Sequence, residues 1–261
     1  MTELPDDLVQ FAVSLADEAE SLLRAGTAAA ASARLKADRS FVTDLDHAIE
    51  QRLRASIAAR HPAHGVIGEE GDDVRADSEW TWVLDPIDGT APFIAGMPVY
   101  GSLIALCRHG EPAVGVITFP ATQDRWVGVS GRPTRRNGAP CRTRGGAELS
   151  TAIQAVMNPD FFEDEERRAL QAVSARTAWR IYGGSAFSYG LLASGRIDLA
   201  VDTRLKVHDY AAFVPVIEGA GGVITDWDGA PLRIGSGPRV LAAGDAARHA
   251  EALRVIRESF V

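Results

Sequence analysis

Between Val83 and Phe93 the chain reads VLDPIDGTAPF: two aspartates three residues apart around a proline, then glycine and threonine. An apolar run, WTWVL from Trp80 to Leu84, leads in, which predicts that Asp85 stands where a buried strand emerges into a loop. The carboxylates of Asp85 and Asp88 are suited to hard cations, and the N–H groups of Gly89 and Thr90 to a phosphate where the next helix starts. Pro92 is compatible with that start, because its missing N–H costs little in a first turn. Asp-Pro and Asp-Gly are also common turn pairs, so taken alone the stretch reads equally as a turn. The spacing is not that of an EF-hand loop, which needs acids at alternate positions and a closing glutamate.

Other acids offer themselves at a distance. GEEGDD, Gly68 to Asp73, follows the apolar GVI directly, and by itself is a solvated acidic turn. Glu69 nevertheless holds a strand-end position like that of Asp85, so the two carboxylates converge if their strands are neighbours. Thr43, Asp44 and Asp46 in KADRSFVTDLD open a helix, where capping is the plain role and the preferred one for Asp44. Asp209 in LKVHDYAAF also reads as a cap, and a cap at a cleft can turn one oxygen outward. His47, His61, His64, His109 and His249 show no metal-ligand spacing. Gly219, Gly221 and Gly222 lack the G-x-G-x-x-G pattern and read as a helix end turning into a strand.

The elements that must position these residues follow from periodicity. Leu8, Phe11, Ala12, Leu15, Ala19, Leu22 and Leu23 predict a long N-terminal helix, and Leu45, Ala48, Ile49, Leu53 and Ile57 a second from about Asp44. GVIG, Gly65 to Gly68, is a short strand. VYGSLIALC, AVGVITF and DRWVGVS read as antiparallel strands, closed by RRNGAP with its Asn-Gly turn. After Leu149, strands IQAVM, WRIY, IDLAV, GVITD and RVLAA interleave with helices in the manner of α/β layering, and Pro215 should bend or interrupt the helix of Tyr210 to Val216. A soft boundary falls at RTRGGAELS, giving subdomains 1–147 and 148–261 around a shared cleft.

Composition narrows the classes. The 261 residues, 46% of them hydrophobic, can bury a large core, and no stretch approaches an apolar membrane span. A net charge of −8 disfavours nucleic acid and anionic lipid as partners. The acidic start lacks the marks of a secretory signal, so the expectation is a cytoplasmic protein with Cys107 and Cys141 as reduced thiols.

Taken together, GEE, WVLDPIDGT, the preceding K-x-D-x-x-x-VT-x-x-D, and the later D-x-x-A and GAGG resemble the lithium-sensitive, magnesium-dependent inositol monophosphatase superfamily. The resemblance runs from Lys36 to the C-terminal helix. Within it, YGLLASGRIDLAVDTRLKVHDYAAFVPVIEGAGGVITDWDG and GRPTRRNG are most similar to the histidinol-phosphate phosphatase branch. Three positions depart from that branch: Ala91-Pro92 stands where it carries Lys-Ser, Ser185 where it carries an acid, and His208 where it carries Trp or Tyr. These border the substrate rather than the cations.

The resemblance implies an α-β-α-β-α layered sandwich, α+β or α/β in class, like inositol monophosphatase and fructose-1,6-bisphosphatase. It implies two or three Mg²⁺: one held by Glu69, Asp85 and the Ile87 carbonyl, a second by Asp85, Asp88 and Asp209, and a weaker third near Glu69. Thr90 and Glu69 would orient the attacking water, with Asp46 and Thr43 behind them and Lys36 and Asp38 shaping the adjoining loop. Gly89 and Thr90 would cradle the phosphate; Asp88, Ser185 and Asp202 would meet the rest of the substrate, with Arg180 and His208 as further candidates at its rim, although a lone histidine beside a helix cap is more often structural. Asp202 has a second reading, a strand-end turn residue in VDT. The implied activity is phosphomonoester hydrolysis by a homodimer, with L-histidinol phosphate as substrate. Inositol or sugar phosphates are the alternative, and a catalytically silent binding protein is the alternative of another class.

Overall fold

The structure is a computed structural model, and it describes residues 4–26, 33–36, 41–146 and 148–260. Asp38 lies outside the described residues. Helix α1 (Asp6–Ala25) and helix α2 (Asp44–Arg60) flank a two-stranded pair, β1 (Arg34–Leu35) and β2 (Phe41–Val42). These strands are too short to carry an alternating pattern and were not foreseen. A seven-stranded sheet follows: β3 (Gly65–Gly68), β4 (Trp80–Asp88), β5 (Gly101–Arg108), β6 (Glu111–Phe119), β7 (Asp124–Val129), β8 (Arg132–Arg136) and β9 (Ala139–Pro140), in that spatial order. The short helix α3 (Thr90–Ala95) lies between β4 and β5. Only the β3–β4 pair is parallel; the other neighbours are antiparallel. The Asn137-Gly138 turn joins β8 to β9 with both residues at positive φ, the backbone a tight hairpin demands.

The second sheet has the order β11 (Trp179–Tyr182), β10 (Ile153–Val156), β12 (Leu199–Asp202), β14 (Val240–Ala243), β13 (Val223–Thr225). Helices α4 (Asp164–Ser174), α5 (Phe187–Ala193), α6 (Val207–Tyr210), α7 (Phe213–Gly219) and α8 (Ala246–Glu258) interleave with it. The predicted single helix through Pro215 is two: it breaks at Ala211-Ala212, and Pro215, having no N–H, cannot bond back to the Ala211 carbonyl four residues earlier.

Alternation along the strands sorts side chains into three cores. Trp82, Leu84, Ile104 and Leu106 face α1 and α2, whereas Val83, Leu103, Ala105 and Cys107 face the middle layer of α5, α6 and α7. The second sheet repeats this, with Ala155, Ala200 and Ala242 turned to the middle layer and Val156, Leu199, Val201 and Leu241 to α4 and α8. The result is the α-β-α-β-α sandwich. Because both faces of each sheet are covered, the central strands are near-continuous apolar runs. The middle layer is close-packed: a Cβ added at Gly115 would stand 2.1 Å from the Ala212 carbonyl oxygen, and one at Gly128 would stand 2.4 Å from Pro215 backbone. Arg144 binds Asp198, and buried Arg248 reaches both Asp198 and Asp245, so the 141–146 loop is tied to the second sheet. No helix of the described residues is long and apolar enough to cross a membrane.

Candidate active site

The site grows from the end of β4. Leu84 pairs with Ile104 and Asp85 with Leu103, after which the register shifts and Asp88 pairs with Gly101. This irregularity turns the backbone at Pro86-Ile87, where two carbonyls leave the ladder. Ser102 Oγ donates to the Pro86 oxygen at 2.6 Å and Thr90 Oγ1 to the Ile87 oxygen at 3.0 Å. Gly89 then adopts φ 76°, a left-handed conformation, as the cap of α3. A Cβ there would stand 2.8 Å from the Val99 oxygen and 2.9 Å from Ser185 Oγ. Gly89→Ala is therefore expected to cost about 1–3 kcal/mol of stability and to lower kcat/KM; thermal melting alongside steady-state kinetics checks both.

The parallel β3–β4 register pairs Gly68 with Leu84, which sets Glu69 beside Asp85. Asp46, in the first turn of α2, and Asp209, in α6, close the circle: the Asp85 carboxyl is held well above the usual range by burial, and then by the charges of Glu69, Asp88, Asp209 and Asp46. Burial also pushes Asp88 up to about 8 against the Ala186 N–H donated to its Oδ2 at 2.8 Å, with Asp209, Glu69 and Asp202 adding to the rise. Asp209 is raised by burial, partly offset by the neighbouring His208. Asp46 is pushed to about 6 by burial despite the Thr43 hydroxyl and N–H at 2.5 and 2.7 Å. Lys36 is a cation at the rim. Its Nζ lies 3.1 Å from Glu69 and 2.6 Å from Glu70, and these carboxylates overcome burial to raise it to about 12.

Among the described residues no three His, Cys, Asp or Glu side chains already stand around one point as a metal cage. The donor set nonetheless fits a hard cation. Among the described residues, Asp85 Oδ1 and Asp46 Oδ1 are buried without a hydrogen-bond partner, and the acids that bear on Asp85 are all oxygen donors. Several buried carboxylates that raise one another's pKa are stable together only when protonated or when a cation joins them.

The remaining expected positions divide. Thr43 is the cap of α2, with Asp46 completing a capping box; Asp44, expected as the cap, is the first helical residue, exposed and paired with Arg34. Asp209 sits third in α6 and accepts the Lys206 N–H at 2.6 Å through Oδ2. Ser185, at φ 46°, presents its hydroxyl to Gly89, and His208 lies 3.9 Å from Asp209. Asp202 is 2% exposed, and its oxygens accept the Met157 N–H at 2.7 Å and the Tyr189 hydroxyl at 2.8 Å. Arg180 is not brought to the acids: its guanidinium folds back onto the Ser174 and Thr177 carbonyls. Sequence reasoning missed Tyr189, and also Glu50 and Arg54, which bind the backbone of the GEEG turn. The only signal for the last two was the pair of glycines bracketing the acids.

An acidic nest at a strand end, beside a glycine-capped helix start in a layered α-β-α-β-α sandwich, is suited to metal-assisted chemistry on a phosphate monoester. The profile of the inositol monophosphatase family matches residues 4–259, and the chain belongs to that family. It is 41% identical over 227 residues to the bifunctional phosphatase IMPL2, chloroplastic, of Arabidopsis thaliana, covering 84% of this chain and 66% of the plant protein. It is 36% identical over 232 residues to a histidinol-phosphatase of Mycobacterium tuberculosis, covering 86% and 88% of the two chains. An inositol monophosphatase from Zymomonas mobilis superposes with a TM-score of 0.86 at 37% identity, covering 97% and 98%.

Proposed function

We propose that the protein is a Mg²⁺-dependent phosphomonoesterase whose substrate is L-histidinol phosphate. The buried Oδ1 of Asp85, without a hydrogen-bond partner among the described residues and under the charge of Glu69, Asp88, Asp209 and Asp46, carries the metal-dependent reading. Glu69, Asp85 and the Ile87 carbonyl would hold one ion; Asp85, Asp88 and Asp209 a second; a third would be weaker. When bound, the ions supply a water of lowered pKa and neutralise charge on the phosphoryl oxygens and leaving group. The protein's own part is positioning. Thr90 and Glu69 orient the attacking water, and the Thr43–Asp46 hydrogen bond holds a carboxylate behind them. The N–H groups of Gly89 and Thr90 hold the phosphate.

The substrate class rests on similarity to histidinol-phosphatases and on the acidic surroundings, which suit an ammonium group beside the ester. Ser185 and the inositol monophosphatase likeness favour the cyclitol alternative. A panel of phosphomonoesters with purified protein decides between them: kcat/KM is expected to be highest for L-histidinol phosphate, and inositol 1-phosphate turning over severalfold better reverses the assignment. No release from any ester with Mg²⁺ present favours a silent binding protein. The proposal includes inhibition by lithium, a cytoplasmic location in keeping with the two free cysteines, and a homodimer. Trp179, Ile181 and Tyr182 on edge strand β11 are 68%, 38% and 55% exposed, which supplies apolar surface for a second copy.

A further inference from the structure

Helix α2 carries Asp46, Glu50 and Arg54 at successive four-residue steps, so all three share one face, the face turned to the acidic nest. Asp46 joins the nest itself. Glu50, only 2% exposed, does not: its carboxylate is wrapped by the turn that follows β3. Oε2 accepts the Glu70 N–H at 2.8 Å, and Oε1 accepts the Gly71 N–H at 2.8 Å together with Arg54 Nε at 2.8 Å. Arg54 continues the grip by donating to the Gly71 and Asp72 carbonyls, both at 3.0 Å. Four backbone groups in three consecutive residues are thereby fixed from one helix.

The glycines are shaped to this contact. A Cβ at Gly68 would stand 2.4 Å from Glu50 Oε1 and 2.6 Å from Arg54 Nη2, and one at Gly71 would stand 2.9 Å from Glu50 Oε1. Neither glycine has a positive φ, so close approach of the carboxylate, not backbone freedom, is what excludes a side chain there. Glu69 lies between the two glycines, with its direction set by the turn they belong to.

We propose that the Glu50–Arg54 pair positions Glu69 for metal binding: it holds the GEEG turn against the repulsion that drives Glu69 from Asp85, and without it the site loses affinity for divalent cations while the fold persists. This rests on the metal-dependent reading above. Groups that orient a metal ligand change affinity or activity by about 10–100-fold when removed. Glu50→Gln keeps the shape but turns an NH₂ toward one of the backbone donors, so it loses one acceptor.

The test is binding of Mn²⁺ alone, by calorimetry or spin resonance, to the full chain. The set is wild type, Glu50→Gln, Gly71→Ala and, as a control of comparable destabilisation far from the site, Val255→Ala. Gly71→Ala attacks the same contact from the other side, by a methyl pressed on the carboxylate, and keeps the test decisive where Glu50→Gln folds poorly. Both variants are expected to bind Mn²⁺ about 10–100-fold more weakly, with faster hydrogen exchange in residues 65–73, while Val255→Ala binds as wild type does. Unchanged binding in the two variants beside normal binding in wild type overturns the clamp and leaves the metal reading standing. A wild-type protein that binds no Mn²⁺ removes that reading, and the clamp with it.

Discussion

Asp85→Asn is expected to lower kcat/KM by about 10²–10³-fold, the scale of losing one group from a preorganised electrostatic site, and at the same time to raise the melting temperature of chelator-treated protein. The two effects have one cause. Asp85 is 2% exposed, its Oδ1 has no hydrogen-bond partner, and four other carboxylates bear on it. Without a cation, neutralising that position relieves repulsion and leaves shape unchanged. With a cation, the same change removes the acid proposed to touch both ions. Thermal melts with EDTA and with Mg²⁺, run beside kinetics, read both arms. A melting temperature that falls in EDTA would show that Asp85 is stabilised by contacts other than a cation, and the proposed site would lose its centre.

The stability of the metal-free protein should fall as pH rises from about 4 toward about 8. Asp46 and Asp202 are pushed up to about 6 and Asp88 to about 8, above the ordinary aspartate value near 3.8, each chiefly by burial. A carboxyl with a raised folded-state pKa binds more protons in the native than in the unfolded chain across that window. The slope of unfolding free energy with pH is then negative, and the contribution is complete below the unfolded value and lost through the folded one. Raising one carboxyl's pKa tenfold in proton affinity is worth about 1.4 kcal/mol, and a fall of at least about 5 °C between pH 5 and pH 8 is expected from several kcal/mol spread over a chain this long. Saturating Mg²⁺ should flatten the profile, because a cation favours the ionised forms. Differential scanning calorimetry at matched ionic strength measures the slope; a rise with pH in EDTA would mean that these acids are already compensated within the protein.

Much of the site could be read from residue order because its parts are local. WTWVL reads as a buried strand, but β4 does not end at Leu84: it carries Asp85, still paired with Leu103, and ends at Asp88 after the register shift. The parallel pairing that puts Glu69 beside Asp85 needed only that β3 and β4 be neighbours. What residue order does not report shares a physical reason. Glu50 is outside the apolar stripe of α2, and its burial is compensated by N–H groups twenty residues downstream, which no local pattern reports. Asp202 is likewise engaged by Met157 and by Tyr189, a residue that reads from sequence only as core. Arg180, a candidate for the substrate rim, has its guanidinium on the turn carbonyls of Ser174 and Thr177, contacts that no apolar pattern reports. At the α2 start, Thr43 and Asp44 are both good caps. The choice fell to Thr43 because Asp46, three residues on, returns the hydrogen bond.

The seats at Gly115 and Gly128 have a further consequence. Carbonyl and peptide atoms of the 212–216 segment rest directly on strands β6 and β7 of the seven-stranded sheet, with no side chain between to slide or tilt. Asp209, a few residues upstream, is thus delivered by a welded joint. Denaturation should proceed as a single cooperative event, and a fragment ending before residue 150 would present bare backbone grooves in place of a folded half.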